Sequence, residues 1–203
     1  VVGLYLNPPE RAVVFSFDGK TQCQALDRTQ PSLPLKAGRA RTMTHDYKRH
    51  GTTTLVAALN ILDGSVISQC QPRHRHIEWL KFLKQIDTNV APDLQIHVVL
   101  DNYATHKHPT VLKWLAKRPR FHMHFTATSA SWMNMVERFF RNLSEDRLKR
   151  GVFKSVDELV DAIELFVLAH NEDPKPFIWT ASARDILEKV MRAKAKLNTV
   201  QTA

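Results

Sequence analysis

The sequence has few of the residues that build covalent or thiolate scaffolds. Cys23 and Cys70 are the only cysteines among 203 residues, which excludes a disulfide framework and a zinc site made of several thiolates. No apolar run approaches the ~20 residues that a membrane-spanning helix needs, and no charged and apolar leader precedes a small-residue cleavage site. Low-complexity tracts and internal repeats are also absent. We therefore expect a soluble, intracellular globular protein.

Positive charge is what the chain has in excess. It carries 29 lysines and arginines against 20 aspartates and glutamates, a formal net charge of +9. Such a balance indicates a polyanionic partner, and nucleic acid is the first candidate. Hydrophobic residues make up 43% of the chain, which is enough for a packed core, and the length fits one compact domain. Because the sequence begins at Val1 on an apolar run, we interpret it as a piece of a longer protein.

Short β-rich runs precede and then alternate with amphipathic segments along the chain. Strands are predicted at 12–17, 22–26, 52–62, 65–70, 94–100 and 121–125, with turns at Asp18-Gly19 and Asp63-Gly64. Helices are predicted at 76–86, 109–117, 132–150, 156–170 and 181–196. The first strands form an antiparallel meander in this interpretation. The whole order predicts an α/β layer sandwich with a mixed sheet.

Residues 27–51 show no sustained period and are predicted to form a basic loop. A loop of this length in a compact domain is usually functional or disordered. The loop carries six lysines and arginines, which are Arg28, Lys36, Arg39, Arg41, Lys48 and Arg49. Phosphate contact and mere solubility are equally open as roles for Arg28, Lys36, Arg39, Arg41 and Lys48.

Three acidic residues stand where chemistry is favoured. Asp18 and Asp101 each follow a strongly apolar strand, and sites in α/β sheets gather at strand ends. Glu137 borders the apolar face of the helix predicted at 132–150, so its carboxylate can lean toward the sheet. Simpler roles remain open: a carboxylate after a strand is often a turn or cap residue, and Glu137 can pair with Arg141.

Four sequence blocks stand in one order through nearly the whole chain. They are Phe17-Asp18, 24–31 (QALDRTQP), 100–107 (LDNYATHK) and 125–140 (FTATSASWMNMVERFF). Together they resemble DDE transposases, and more narrowly the bacterial insertion-sequence branch of the Tc/mariner superfamily. Four blocks at suitable spacing are far more specific than one short motif.

This resemblance implies a ribonuclease-H-like catalytic domain over residues 1–203, with a mixed five-stranded sheet flanked by helices. Asp18, Asp101 and Glu137 fall on the catalytic, metal-binding triad, which would hold two Mg²⁺ or Mn²⁺ ions. Residues 1–11 would be a linker from a missing N-terminal DNA-binding region, and 180–203 a C-terminal basic helix. The implied activity is strand cleavage at element ends and strand transfer into target DNA. The implied partners are terminal-repeat DNA, target DNA and further copies in a synaptic oligomer, and the implied location is the bacterial cytoplasm, at the nucleoid.

Several histidines and asparagines, some of them inside the blocks, also have expected roles. His106 stands five residues after Asp101, where the family block carries histidine, and could contact a DNA phosphate or the metal-bound water. Asn102 and Asn134 are predicted to make local turn or helix-start hydrogen bonds. Histidines two apart, at 74 and 76, 106 and 108, and 122 and 124, are better explained by a basic polar surface than by zinc, because no cluster of cysteine partners accompanies any pair.

Two positions depart from the family pattern. Gly19 stands where glutamate is common, and Ala127 where proline is usual; neither change removes a triad carboxylate. They leave open a catalytically silent remnant that binds DNA or dimerises with an intact transposase. A structure-selective nuclease on the same scaffold is a further alternative, because fold does not fix function.

Overall fold

One mixed β-sheet organises the chain. The computed structural model describes residues 1–28, 47–126, 134–176 and 191. The five strands are β1 (Ala12–Arg28), β2 (Tyr47–Asn60), β3 (Val66–Gln71), β4 (Gln95–Leu100) and β5 (Phe121–Phe125). Their order across the sheet is β3-β2-β1-β4-β5. The pairs β1–β2 and β2–β3 are antiparallel, whereas β1–β4 and β4–β5 are parallel. The predicted mixed sheet is confirmed.

Helices lie on both faces of the sheet. They are α1 (Val2–Leu6), α2 (His76–Asn89), α3 (Pro109–Leu115), α4 (Val136–Leu143) and α5 (Val156–Glu172). A 3₁₀ turn, Ala104–Lys107, precedes α3, and a π-helical turn, Ser144–Leu148, follows α4. In the described part of the chain, none of the helices has the length and apolarity to cross a membrane.

The sheet separates two hydrophobic cores because side chains alternate along each strand. On β1, Val14 faces the core that α4 and α5 cover, and its neighbour Phe15 faces the core that α2 covers. The first core includes Leu143 of α4, and the second includes Trp79 of α2; both side chains are buried. Both faces of the first part of β1 are therefore covered by hydrophobic core. This accounts for the nearly continuous apolar run at the start of the strand.

The turn predicted at Asp18-Gly19 is wrong. Strand β1 continues through both residues to Arg28, with Asp18 paired to Ala57 of β2. Two register shifts, between Lys20 and Cys23 and between Gln24 and Leu26, absorb the irregularity that the sequence shows. Hydrogen bonding to β2 along its length overrides the local turn signal, and β-bulges take its place.

Three other predicted boundaries change. The basic loop is shorter than predicted, because Asp27 and Arg28 pair with Lys48 and Tyr47 at the ends of β1 and β2; residues 29–46 lie outside the described residues. The helix predicted at 132–150 begins at Val136 and becomes π-helical at Ser144, whose hydroxyl donates to the carbonyl of Phe140. Residues 132 and 133 lie outside the described part.

The chain ends differ in what the structure describes. Within the segment predicted as a linker, α1 forms a short helix whose Tyr5 is 5% exposed and belongs to the core under α4 and α5. The helix predicted at 181–196, and with it the basic helix assigned to 180–203, lies outside the described residues except for Met191.

Candidate active site

The register of two parallel strands brings two of the acids together. Strands β1 and β4 pair from Ala12 with Gln95 to Ser16 with Val99. Two further residues along each strand lead to Asp18 and Asp101. Because β4 ends at Leu100, Asp101 lies at the carboxyl edge of the sheet, where sites in α/β folds form.

Asp18 is partly buried, and each of its carboxylate oxygens accepts one hydrogen bond. The Gly19 N–H donates to Oδ1 at 2.6 Å, and Nδ2 of Asn134 donates to Oδ2 at 2.9 Å. Burial raises the pKa of Asp18 to about 7; the Gly19 N–H opposes this, and the charges of Glu137 and Asp101 add to it. Both other acids are thus close enough to act on Asp18.

Asp101 has the opposite electrostatic environment. Its Oδ1 lies 3.1 Å from Nδ1 of His106, and the Tyr103 N–H donates to the same oxygen at 3.4 Å. The hydrogen bond from His106 lowers the pKa of Asp101, and burial only partly offsets it. Near neutral pH, the site therefore contains an ionised Asp101 beside a readily protonated Asp18.

Glu137 enters from the first turn of α4. Val136 before it is fully buried, whereas Glu137 is exposed, so the prediction that Glu137 borders the apolar face is confirmed. The start of α4 is fixed to β1, because the Val136 N–H donates to the Ser16 hydroxyl at 3.3 Å. No ion pair between Glu137 and Arg141 occurs among the residues that the structure describes.

Asn134 and Ser16 form a buried link that the sequence did not reveal. The Ser16 hydroxyl donates to Oδ1 of Asn134 at 2.5 Å, and Nδ2 of Asn134 also donates to the Phe17 carbonyl at 3.0 Å. Asn134 is 6% exposed and Ser16 fully buried. Asn134 was predicted to bond only locally, but its partners lie more than a hundred residues away. The available signal was a lone serine inside the apolar run of β1.

His106 lies behind the acids. Its side chain is 2% exposed, with its ring 4.9 Å from Trp79 and 5.5 Å from Phe17 between centroids. The 3₁₀ turn after Asp101 folds the imidazole back under that residue. This burial contradicts the predicted DNA contact of His106, and the geometry gives it the role of orienting Asp101.

The remaining predicted DNA contacts are only partly described. Lys48 is exposed on β2, opposite Asp27, and Arg28 is the last residue of β1. Lys36, Arg39 and Arg41 lie outside the described residues. Asn102, predicted to make local bonds, is exposed next to Asp101.

The donor chemistry suits a hard divalent cation. Within residues 1–28, 47–126 and 134–176, no three histidine, cysteine, aspartate or glutamate side chains stand in an arrangement ready to hold a metal. Asp18, Asp101 and Glu137 nevertheless offer only carboxylate oxygens, the ligands that Mg²⁺ and Mn²⁺ prefer. Their mutual repulsion at Asp18 is what a bound cation would relieve. The residues therefore fit such an ion by chemistry, with some rearrangement on binding.

Comparison with known protein families gives further evidence on the family of this chain. The family described as DDE superfamily endonuclease matches residues 17–160, a range that includes all three acids. The chain belongs to this family. The resemblance stated from the four sequence blocks is thereby confirmed.

Individual relatives agree with this assignment. The chain is 24% identical over 89 residues to "Insertion element IS630 uncharacterized 39 kDa protein" of Shigella sonnei, covering 44% of this chain and 26% of the relative. The Mos1 transposase paired-end complex with left transposon end superposes with a TM-score of 0.62 at 13% identity, over 83% of this chain and 51% of that one. The Mos1 strand transfer complex gives 0.57 at 13%, over 78% and 47%.

These similarities define the fold. The mixed five-stranded sheet with flanking helices is the ribonuclease-H-like fold of transposase catalytic domains, as predicted. The chain spans about a quarter of the curated relative and about half of each Mos1 chain.

Proposed function

We propose that this chain is the catalytic domain of an insertion-sequence DDE transposase, which cleaves DNA strands at element ends and joins them to target DNA. The observation that carries the proposal is the environment of Asp18, whose partly buried carboxyl feels the charges of both Glu137 and Asp101. Carboxylates that approach one another from a strand, a strand end and a helix repel, and this repulsion costs free energy unless a proton or a cation offsets it. Membership of an endonuclease family supports the same chemistry.

Asp18, Asp101 and Glu137 are the proposed ligands of Mg²⁺ or Mn²⁺, with two ions as the expected number. Such ions activate the attacking water or hydroxyl and stabilise the leaving oxygen of a phosphodiester. Phosphate oxygens of the DNA complete the ligand set in this proposal.

Neighbouring residues of the chain orient the three acids. Asn134 and the Gly19 N–H fix the two oxygens of Asp18, and His106 holds Oδ1 of Asp101. The Ser16 hydroxyl holds the start of α4 and thereby the position of Glu137. This support restricts the directions of the Asp18 and Asp101 carboxylates and the position of the first turn of α4. Such positioning favours catalysis on a phosphodiester.

The proposed partner is DNA, both the terminal repeats of the element and the target. The net charge of +9 supports binding to the phosphate backbone, and Arg28, Lys36, Arg39, Arg41 and Lys48 are the proposed contacts. Assembly into a synaptic oligomer, a separate N-terminal DNA-reading region, and action at the bacterial nucleoid in the cytoplasm belong to the same proposal.

Nicking of a supercoiled plasmid tests the activity. With Mn²⁺ or Mg²⁺, we expect the 203-residue chain to convert supercoiled into open-circular DNA, and Asp101→Asn to abolish this. Asp93→Asn is the matched control, because Asp93 is 58% exposed and pairs with Arg11, away from the three acids. Metal-independent nicking, or equal nicking by Asp101→Asn, contradicts the proposal. DNA binding without metal-dependent cleavage identifies the silent remnant instead.

Strand transfer separates a transposase from a nuclease. A labelled oligonucleotide with a free 3′ hydroxyl is incubated with a plasmid, protein and Mn²⁺. We expect the label to become covalently joined to the plasmid. Cleavage of the plasmid without joining assigns the chain to the structure-selective nucleases.

A further inference from the structure

The ring of His74 occupies the space where a side chain of residue 19 would lie. Its backbone is regular, pairing with Val56 in the antiparallel ladder, and its φ is not positive. A Cβ built on Gly19 would lie 2.5 Å from Cε1 and 2.6 Å from Nδ1 of His74. Any side chain at this position therefore displaces the imidazole of His74.

His74 connects the two segments that carry the aspartates. It lies between β3 and α2 and covers Gly19, the residue after Asp18. On its other side, its ring meets Tyr103 edge-on, with centroids 5.7 Å apart at 90°, and the ring of His106 at 5.9 Å. Tyr103 and His106 are the residues that bond Oδ1 of Asp101.

Three ring nitrogens of this histidine cluster have no hydrogen-bond partner among the described residues. Both ring nitrogens of His74 and Nε2 of His106 are buried without a hydrogen bond in the described part of the chain. Buried polar atoms of this kind are uncommon, because each costs about 1–3 kcal/mol if left unbonded. Since all three are withdrawn from the surface, a direct contact between His74 and DNA is excluded without movement of the ring.

A second histidine pair, His97 and His124, shows the ring separation at which two imidazoles form a hydrogen bond. His97 and His124 share a nitrogen–nitrogen hydrogen bond of 2.9 Å with ring centroids 5.1 Å apart, against 5.9 Å for His74 and His106. Nδ1 of His106 faces an ionised carboxylate, which accepts only, so Nδ1 carries a hydrogen. In the neutral ring, Nε2 is then an acceptor, and His74 can supply the donor.

We propose that His74 is a positioning residue of the acidic site: it donates to Nε2 of His106, forming a chain Asp101–His106–His74, and it fills the space over Gly19 beside Asp18. The inference rests on the proposed function, because its purpose is to fix two metal-binding acids relative to each other. Gly19 and His74 form one unit in this arrangement, since the ring is accommodated only when residue 19 lacks a side chain.

Three variants of His74 separate the roles of its nitrogens and its volume. His74→Phe keeps an aromatic ring but removes both nitrogens, His74→Gln keeps a donor and an acceptor, and His74→Ala opens the space. Partners that orient metal ligands typically contribute 10- to 100-fold to metal affinity. We therefore expect His74→Phe to raise the Kd of the DNA-free chain for Mn²⁺ by about 10-fold or more. His74→Gln should retain most of the Mn²⁺ affinity of the unaltered chain. His122→Phe, at an exposed histidine on β5, is the control and should bind Mn²⁺ like the unaltered chain.

The chain of hydrogen bonds has its own spectroscopic signature. The ¹⁵N resonance of Nε2 in His106 should move toward the unbonded acceptor value in His74→Phe and stay in place in His122→Phe. Unchanged Mn²⁺ affinity and an unchanged Nε2 resonance in a folded His74→Phe variant overturn the inference. If the unaltered chain shows no Mn²⁺ binding that depends on Asp101, the proposed function fails, and the His106 resonance still decides whether the hydrogen-bond chain exists.

Gly19→Ala tests the spatial half independently. We expect Gly19→Ala alone to weaken Mn²⁺ binding as His74→Phe does, because its Cβ displaces the ring. The double variant Gly19→Ala/His74→Ala should then bind no worse than His74→Ala alone, since the collision is gone. Additive losses in the double variant contradict the coupling of the two residues.

Discussion

At the scale of single residues, Asn134 joins the strand that carries Asp18 to the helix that carries Glu137. Its amide accepts from Ser16 and donates to Phe17 and Asp18, all within a buried environment. Removing such a group leaves several polar atoms unbonded inside the protein, which is more costly than the loss of one exposed bond.

Asn134→Ala should therefore reduce both stability and metal binding. We expect the free energy of unfolding to fall by about 1–3 kcal/mol, and Mn²⁺ affinity to fall because Asp18 loses the donor on Oδ2. Urea unfolding and calorimetric Mn²⁺ titration measure the two effects. Asn142→Ala, at an exposed asparagine of α4, is the control. If both variants unfold at the same urea concentration, the buried link does not stabilise the fold.

The raised pKa of Asp18 predicts a pH dependence of stability in the absence of divalent ions. A carboxyl with a native pKa of about 7 keeps its proton in the fold while the unfolded chain, near 3.8, has lost it. Stability from this group therefore declines as pH rises from about 4 to about 7. Urea unfolding at pH 5 and pH 8 measures this effect. The free energy of unfolding of Asp18→Asn, relative to that of the unaltered chain, should rise with pH by up to roughly 1 kcal/mol per pH unit. A difference that stays constant over this range refutes the assignment.

How far the site was predictable depends on the distance over which each residue acts. Asp18 and Asp101 stood out by their positions after apolar strands, a local pattern, and the resemblance of the four sequence blocks assigned them to the triad. The roles of Ser16 and Asn134 depend on a contact between residues separated by 118 positions, which no local pattern contains. The burial of His106 likewise follows from packing against Phe17 of β1 and Trp79 of α2, which are distant from it in the sequence.

At the scale of secondary structure, boundaries were predictable where the pattern and the pairing agree. Strand β5, at 121–125, was predicted to the residue, and β4 to within one residue. Strand β1 was predicted as two because Asp18-Gly19 is a turn signal, yet pairing with β2 continues through it. Tertiary hydrogen bonding outweighs local preference here, and glycine serves the packing of His74 rather than a turn.

The end of α2 offers a test of how elements are joined. Asp87, in the last turn of α2, bonds Nε of Arg118 at 2.9 Å and Nη2 of Arg120 at 2.8 Å, and Arg120 also donates to the Asp87 and Ala91 carbonyls. Burial opposes ionisation, but the two arginines outweigh it and lower the pKa of Asp87. These contacts fix the helix to the segment that leads into β5.

Asp87→Asn should destabilise the fold at neutral pH and lose its effect in acid. A depressed pKa contributes stability above the ordinary pKa of aspartate, and that contribution disappears as pH falls through the native value. We expect a loss of about 1–2 kcal/mol at pH 7, shrinking below about pH 4, by chemical unfolding at both pH values. The more exposed pair of Asp93 and Arg11 is the comparison, and Asp93→Asn should change little.

At the scale of the whole molecule, a basic protein carries an acidic site. The chain has a net charge of +9, yet Asp18 lies within reach of the negative charges of Asp101 and Glu137. In the proposed function, lysine and arginine attract DNA over a Debye length, whereas the carboxylates repel the phosphate that approaches them. A divalent cation resolves this conflict in the proposed function by placing positive charge where the acids converge.

Affinity for DNA without metal should therefore depend on where a negative charge is removed. In EDTA at low salt, we expect Asp101→Asn to bind a DNA duplex several-fold more tightly than the unaltered chain, because the repulsion between Asp101 and phosphate is lost. Asp93→Asn removes the same charge at a 58% exposed position and should change binding much less. Both differences should diminish above about 0.2 M salt, where the Debye length falls below about 8 Å. Fluorescence anisotropy across a salt series measures them. An equal gain in both variants would mean that net charge alone governs binding and that DNA does not approach the three acids.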